Sequence, residues 1–243
     1  MYVHVIQNFS ANKGIKFSYK PLLTGLILNL VLFSCYTFPM PAKNTAHIEH
    51  LSKDKKLHKV LLAAKPAAIK KHKNICLRLC ASIMSQQLST KVADVIYKRF
   101  LLLYNGEEPT PQQILDTPFD KLRGVGLSNA KVNYVQNVAR FILAHEMDDK
   151  KLYKMTNDEI IETLTQIKGV GRWTVEMLLM FTLGREDVFA VDDLGIQQAM
   201  AKVYKIDMTD KKAMKEKMLK ISAKWAPYRT YACLCLWRYK DAG

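Results

Sequence analysis

The 243-residue chain is 49% hydrophobic and 24% charged, a composition that is ordinary for a folded globular protein and argues against extensive disorder. Lysine and arginine (37) outnumber aspartate and glutamate (22), for a formal net charge of +15. This excess favours a polyanionic partner, either nucleic acid or an acidic membrane surface; a lysine-rich solvated surface is the simpler alternative. The five cysteines form no paired CxxC sets, so the sequence predicts neither a zinc site nor a disulfide framework and fits a reduced, cytoplasmic compartment.

The first 39 residues differ from the rest of the chain. Three lysines precede an apolar run over residues 22–38, and the segment has no acidic residue. This is typical of a signal segment, and residues 32–35 (LFSC) resemble a lipoprotein cleavage box, although polar residues make the run a poor membrane span. The alternative is that translation starts at Met40. We expect residues 1–39 to be an atypical extension and residues 40–243 to form the functional domain, with no membrane partner unless the extension is retained as an anchor.

From Ile75 onward the hydrophobic spacing is helical almost throughout, with no sustained alternation of period two. The sequence therefore predicts an all-α fold. Ser89 and Ser128 are predicted to cap two helices. The predicted core stripes of these helices are Val92, Val95, Ile96 and Leu103 in the first, and Val132, Val135, Val138 and Ile142 in the second.

Four further helices are predicted in the C-terminal half. Thr156 and Glu159 have the spacing of a capping box, and the breaker Pro227 precedes the last helix, which runs through Tyr231–Tyr239. The apolar stripes of the first three are Ile160, Leu164 and Ile167; Val175, Leu178, Leu179 and Thr182; and Leu194, Ile196, Ala199, Met200 and Val203.

A weak repeat of the pattern apolar, basic, Gly, Val, Gly occurs at residues 122–126 and 167–171, and each copy is predicted to join two helices. In Gly169-Val170-Gly171, a sharp turn would leave backbone N–H groups free at the start of the next helix, where they suit a phosphate oxygen. Lys168 and Arg172 flank this turn with positive charge. A tight packing turn is the alternative interpretation.

Three segments together resemble the helix-hairpin-helix DNA glycosylase superfamily, and within it the 3-methyladenine DNA glycosylase II branch. They are LTQIKGVGRWTVEMLLMFTLGREDVFAVDDLGIQ (164–197), IMSQQLS (83–89) and WAPYRTYA (225–232) with Trp237. The resemblance covers roughly residues 60 to 240. It implies two helical lobes with the active site in the cleft between them.

The resemblance also implies roles for single residues. An enzyme that acts on a base within a duplex must flip the nucleotide out, fill the gap and hold the base. Gln87, with Leu88 beside it, matches the residue that fills the gap. Trp173 and Trp237 match the aromatic rings around the flipped base, which attract a cationic alkylated base through their π faces. The pocket also includes Met177 and Leu194, which stand where some relatives have tyrosine.

Asp193 matches the family's catalytic aspartate, whose carboxylate stabilises an oxocarbenium-like sugar or orients the attacking water. The alternative is that Asp192 or Asp193 merely caps the helix that begins at Leu194. One of them could also cap while the other catalyses. The lysines at 211, 212, 215, 217 and 220 are interpreted most simply as a solvated helix face.

Family members that also cleave the DNA strand carry a lysine after the hairpin, where this chain has Trp173, so no lyase activity is expected. The four-cysteine loop of the endonuclease III branch is also missing, so no iron–sulfur cluster is expected. No catalytic metal and no cofactor are expected; an alkali ion on the hairpin carbonyls is implied by the resemblance only.

The expected function is base excision repair by a monofunctional DNA glycosylase that removes alkylated bases, such as 3-methyladenine and 7-methylguanine, from double-stranded DNA. We expect a monomer in the cytoplasm, at the bacterial nucleoid. The alternatives are a glycosylase for uracil, hypoxanthine or an oxidised base, and a non-enzymatic helix-hairpin-helix DNA-binding module. The second alternative would not require Asp193, Trp173 or Trp237.

Overall fold

The computed structural model describes residues 45–63 and 69–241, and within these ranges the chain forms helices and no β-strand. The all-α prediction is thus confirmed. The expectation for residues 1–39, and the start of the domain at Met40, lie outside the described residues. The helices are α1 Ala46–Leu51, α2 Lys55–Ala63, α3 Ile75–Ser85, α4 Thr90–Leu102, α5 Pro111–Asp116, α6 Phe119–Gly124, α7 Asn129–Ala144, α8 Asp149–Lys154, α9 Asn157–Leu164, α10 Arg172–Phe181, α11 Leu194–Tyr204, α12 Lys211–Ser222 and α13 Arg229–Asp241, with a 3-10 turn at Ala223–Trp225.

The helices form two lobes. In the first lobe the apolar helix α3 packs against α4, α7 and α10, and α7 also packs against α5 and α6. In the second, α13 packs against α11 and α2, so helices from the two ends of the described chain share one core. The chain crosses from the first lobe to the second between α10 and α11. The N-terminal ends of α10 and α11 lie close together, because Trp173 in the first turn of α10 donates a hydrogen bond to Asp193, the N-cap of α11.

Sequence signals for helix starts are confirmed. The hydroxyls of Ser89 and Ser128 accept hydrogen bonds from the backbone N–H groups of Val92 and Lys131. Thr156 and Glu159 form the predicted capping box at the start of α9. These caps satisfy N–H groups that have no partner within their own helix.

The predicted core stripe of α4 is wrong at three of its four positions. Val92 (46%), Val95 (40%) and Leu103 (36%) are exposed, whereas Ile96 is buried. Helical periodicity fits two neighbouring stripes equally well here, and α4 buries the one that carries the larger aromatic rings. The residues on this face are Ala93, Ile96, Tyr97, Phe100 and Leu101.

The other predicted stripes agree with the structure in most positions. All four stripe residues of α7 are buried, as are those of α9 and α10. On α11, Ile196, Ala199 and Met200 are buried and Val203 is half-buried, whereas Leu194 is exposed. Among the described residues, no helix is both long and apolar enough to cross a bilayer.

Candidate active site

The carboxylate of Asp193 connects three helices at the point where the chain enters the second lobe. Its Oδ1 accepts the backbone N–H of Ile196 at 2.9 Å, which makes Asp193 the N-cap of α11. The same oxygen accepts the indole N–H of Trp237, on α13, at 2.7 Å. Its Oδ2 accepts the indole N–H of Trp173, on α10, at 2.9 Å. One side chain thus orients both tryptophans that the sequence analysis singled out.

Asp192 has a different role. Its carboxylate is exposed and forms an ion pair of 2.5 Å with Lys215 of α12. The idea that Asp192 caps α11 is therefore wrong, because Asp193 forms the cap itself. Of the five lysines interpreted as a solvated helix face, Lys215 is thus in an ion pair. The other four are exposed: Lys211, Lys212, Lys217 and Lys220.

The two tryptophans differ in exposure. Trp173 is 40% exposed, so part of its ring is available to a ligand, whereas Trp237 is buried, with Phe181 at a ring-centroid distance of 5.9 Å. Trp237 can approach Asp193 because residue 195 is glycine. A Cβ atom at Gly195 would lie 3.0 Å from Asp193 Oδ1 and 3.0 Å from Trp237 Cδ1.

The other two pocket candidates lie on the same helices as these residues. Met177 is half-buried on α10, one turn after Trp173, and Leu194 is 60% exposed directly after Asp193.

A buried acid, Glu176, also lies in this region. Glu176 lies on α10, and its Oε1 accepts the Nε–H of Arg172 at 2.9 Å. Its Oε2 is buried without a hydrogen-bond partner among the described residues. Burial raises the pKa of Glu176, the Arg172 guanidinium opposes this shift, and the negative charges of Asp192 and Asp193 add to it. The i,i+4 spacing of Arg172 and Glu176 predicts the ion pair, but no sequence signal indicates that the acid is buried.

The turn between α3 and α4 carries the predicted gap-filling residue. Gln87 is exposed and has a φ of 58°, in the left-handed region that non-glycine residues seldom adopt. Leu88, next to it, is half-buried and packs against the core. Gln87 therefore lies in the turn between two helices, with its side chain exposed.

The hairpin between α9 and α10 is held by close packing. Gly169 has a φ of 102°, and a Cβ there would lie 2.2 Å from Cγ of Tyr134. Gly171 is the N-cap of α10 and offers no side chain to the first N–H groups of that helix. These amides are therefore available to an anion. Lys168 and Gly171 are exposed, and Val170 is buried as the apolar anchor of the turn.

Two arginines at the repeated turns use their charge in contacts within the protein. Arg172 is exposed, but its guanidinium pairs with Glu176, so its charge is partly neutralised. The earlier copy of the repeat also joins two helices, α6 and α7, as predicted. There Arg123 donates to the carbonyl of Leu127, which turns its charge toward its own loop.

Across residues 45–63 and 69–241, no group of three or more histidine, cysteine, aspartate or glutamate side chains is arranged to hold a metal ion. Cys76, Cys80, Cys233 and Cys235 are buried free thiols.

Known proteins are similar to this chain in sequence and in fold. Residues 80–224, more than half of the chain, match the family model of the HhH-GPD superfamily base excision DNA repair proteins. The chain is 36% identical over 199 residues to DNA-3-methyladenine glycosylase 1 of Schizosaccharomyces pombe, a match that covers 81% of this chain and 86% of that protein.

Two solved structures are similar. The DNA-3-methyladenine glycosidase of Bacillus halodurans is 33% identical with a TM-score of 0.72, over 81% of this chain and 90% of that one. The Schizosaccharomyces pombe 3-methyladenine DNA glycosylase in complex with abasic DNA is 36% identical with a TM-score of 0.68, over 80% and 96% of the two chains. The residues that the family model matches include the hairpin, Trp173 and Asp193. This chain therefore belongs to the HhH-GPD superfamily of base excision DNA repair proteins.

Proposed function

We propose that this protein is a monofunctional DNA glycosylase that hydrolyses the N-glycosidic bond of alkylated bases in duplex DNA. The observation that carries the proposal is the position of Asp193, which lies between the lobes and binds the N–H groups of Trp173 and Trp237. The similar proteins of Schizosaccharomyces pombe and Bacillus halodurans, both 3-methyladenine glycosylases by name, support this substrate class.

Selectivity for alkylated bases would come from the indoles. Alkylation at a ring nitrogen makes the base cationic, and the face of a tryptophan attracts a cation by about 1–2 kcal/mol when water is excluded. The ring of Trp173 is exposed enough for such a contact, and its N–H hydrogen bond to Asp193 fixes the ring orientation before the base binds. Met177 and Leu194 would complete the pocket with apolar surface.

Asp193 would act on the sugar. Departure of a cationic base leaves positive charge at C1′, and a fixed carboxylate stabilises this charge or orients the attacking water. The alkylated base is already a good leaving group, so no general acid is needed to protonate it. The N-glycosidic bond breaks with its electron pair going to the cationic base, which leaves neutral. The attacking water supplies the hydroxyl at C1′ and releases its other proton to solvent.

The hairpin and the α3–α4 turn would bind the DNA. Backbone N–H groups around Gly169–Gly171 and the ammonium of Lys168 would contact phosphate oxygens, with Arg172 beside them. Gln87 and Leu88 would enter the duplex and fill the gap that the flipped nucleotide leaves.

The test is base release from duplexes that contain 3-methyladenine, 7-methylguanine, hypoxanthine, ethenoadenine, uracil or 8-oxoguanine. We expect release of the two methylated bases to be fastest. Release of uracil or 8-oxoguanine alone would contradict the substrate class, and binding without release of any base would indicate a DNA-binding module.

The absence of lyase activity is tested separately. Strand cleavage through a Schiff base requires an amine beside the sugar, and Trp173 occupies the position after the hairpin. Borohydride added during the reaction should therefore trap no covalent protein–DNA adduct. Efficient trapping would rule out a monofunctional mechanism.

We further propose that residues 40–243 form the glycosylase domain and that the enzyme acts as a cytoplasmic monomer, at the bacterial nucleoid, without an iron–sulfur cluster. A chain that starts at Met40 should release methylated bases at the full-length rate. Light scattering and iron analysis of the purified protein test the monomeric state and the absence of a cluster.

A further inference from the structure

Lys131 lies on α7 and contacts the end of a different helix. Its ammonium donates hydrogen bonds to the carbonyl oxygens of Met84, at 2.9 Å, and Gln86, at 2.7 Å. These carbonyls belong to the last turn of α3 and its C-cap, directly before Gln87. A helix ends in carbonyls that lack intrahelical partners and carry partial negative charge, so a cation is favoured there.

The contact is partly shielded from solvent, and burial lowers the pKa of Lys131. Hydrogen bonds from a charged donor are stronger than those between neutral groups. The carbonyls of Met84 and Gln86 are thus fixed by a group that does not belong to the turn itself.

The turn needs such support because its backbone is unfavourable. Gln87 has a φ of 58°, and Ser89 already caps the next helix, so few residues connect α3 to α4. A non-glycine residue persists in this region only where its surroundings impose the conformation. On the other side of the turn, the amide Nε2 of Gln86 donates to Thr174 Oγ1 at 3.4 Å, and Thr174 is the neighbour of Trp173.

We infer that Lys131 is a positioning residue, which holds the α3–α4 turn so that the side chain of Gln87 is oriented to enter the duplex. The inference rests on the proposed glycosylase function and on the gap-filling role of Gln87. Lys131 itself would act through the two carbonyls, because both are direct acceptors of its ammonium. Because Gln87 fills the gap that a flipped nucleotide leaves, replacement of Lys131 should slow base release most where the base is difficult to flip.

The test compares two substrates that differ only in base pairing. One is a duplex with 7-methylguanine paired to cytosine, and the other places the same lesion opposite an abasic-site analogue, where no pair has to be broken. We expect Lys131→Met to lower single-turnover release by about tenfold or more from the paired duplex, as for loss of a charge-assisted hydrogen bond. From the unpaired lesion we expect less than about a twofold loss, because flipping is then easier.

Further variants separate positioning from loss of charge or of fold. Lys121, on α6, is exposed, so Lys121→Met removes one positive charge at the surface and should leave the ratio of the two rates unchanged. Lys131→Arg should restore most of the activity on the paired duplex. If circular dichroism shows that Lys131→Met is unfolded, Lys131→Gln, which keeps a donor amide, replaces it.

Gln87→Ala should show the same dependence on pairing, and the double variant with Lys131→Met should be no slower than the slower single variant. Equal losses on both substrates, or no loss on either, would overturn the inference while leaving the glycosylase function intact. No release by the wild-type protein would contradict the proposed function instead.

Discussion

Trp237 donates its indole N–H to the same oxygen of Asp193 that caps α11. Because Oδ2 of Asp193 also accepts from Trp173, one carboxylate combines a helix cap, the orientation of two rings and a fixed negative charge. The charge is the part of this arrangement that a substitution can remove with the least change in shape.

Asp193→Asn should lower single-turnover release of methylated bases by at least about a hundredfold, the scale for loss of one pre-organised electrostatic group. An amide has only one acceptor oxygen. If that oxygen keeps the cap and Trp237, the NH₂ group faces Trp173, and we expect a change in tryptophan fluorescence as well. The measurement is base release alongside binding to DNA that carries an abasic-site analogue, which the variant should still bind.

The matched control is Asp192→Asn. Asp192 is at the surface and pairs with Lys215, and exposed ion pairs contribute little to stability. Base release by Asp192→Asn should therefore stay within about twofold of the wild-type rate. Equal rates for Asp193→Asn and the wild type, or a large loss only in Asp192→Asn, would move the catalytic role away from Asp193.

Trp173→Leu should reduce selectivity for cationic bases. Loss of a cation–π contact of about 1–2 kcal/mol lowers the ratio of 7-methylguanine to hypoxanthine release by roughly tenfold, because hypoxanthine is neutral. Trp225→Phe is the control, since Trp225 is buried and donates to Asp54 within the second lobe. We expect it to lower the melting temperature without changing this ratio. An unchanged ratio in Trp173→Leu would show that the ring does not contact the base.

Gly169→Ala should disturb the hairpin and weaken DNA binding. The residue has a φ of 102°, and the new Cβ would overlap the ring of Tyr134, so the turn must move at a cost on the order of 1–3 kcal/mol. We expect a lower melting temperature and an affinity for DNA reduced by about tenfold, as N–H groups leave the phosphate.

Gly171→Ala is the comparison for that variant, because a Cβ there meets no atom within 4 Å and φ is negative. It should melt near the wild-type temperature. Equal losses of affinity in the two variants would show that the added methyl group blocks the phosphate, and would contradict displacement of the turn as the cause.

Glu176→Gln should stabilise the protein in a pH-dependent way. Burial raises the pKa of Glu176 above its ordinary 4.5, despite Arg172, so the folded state retains the proton to higher pH than the unfolded state. The stability that the neutral acid contributes is complete below the unfolded pKa and is lost as the pH rises through the folded pKa.

The glutamine variant cannot ionise, and its amide oxygen can still accept from Arg172. Its melting temperature should therefore exceed that of the wild type at about pH 8, by about 2–4 °C for each kcal/mol, and the difference should disappear near pH 4. Glu162→Gln, at an exposed position of α9, should show no such trend. A difference that grows as the pH falls would contradict the buried-acid interpretation.

Local signals in the sequence determined much of the fold. Ser89, Ser128 and the Thr156–Glu159 pair predicted helix starts, because a cap depends on side-chain chemistry within three residues of the helix end. The buried face of α7 followed from spacing alone, since its apolar residues form one unambiguous stripe. The hairpin glycines and Asp193 were predicted through the family motif, in which order and spacing along the chain are the signal.

The tertiary structure decided which helix faces are buried and which side chains meet. Two stripes of α4 satisfy the helical period, and only packing against α3 selected the one with Tyr97 and Phe100. The contacts of Asp193 with Trp237 and of Lys131 with Gln86 join residues 44 and 45 positions apart. The burial of Glu176 was also decided by the tertiary structure, because the solvent exposure of a carboxylate on one helix depends on which other helices pack over it. Such contacts depend on how the helices pack against each other, and no pattern within a single helix encodes that.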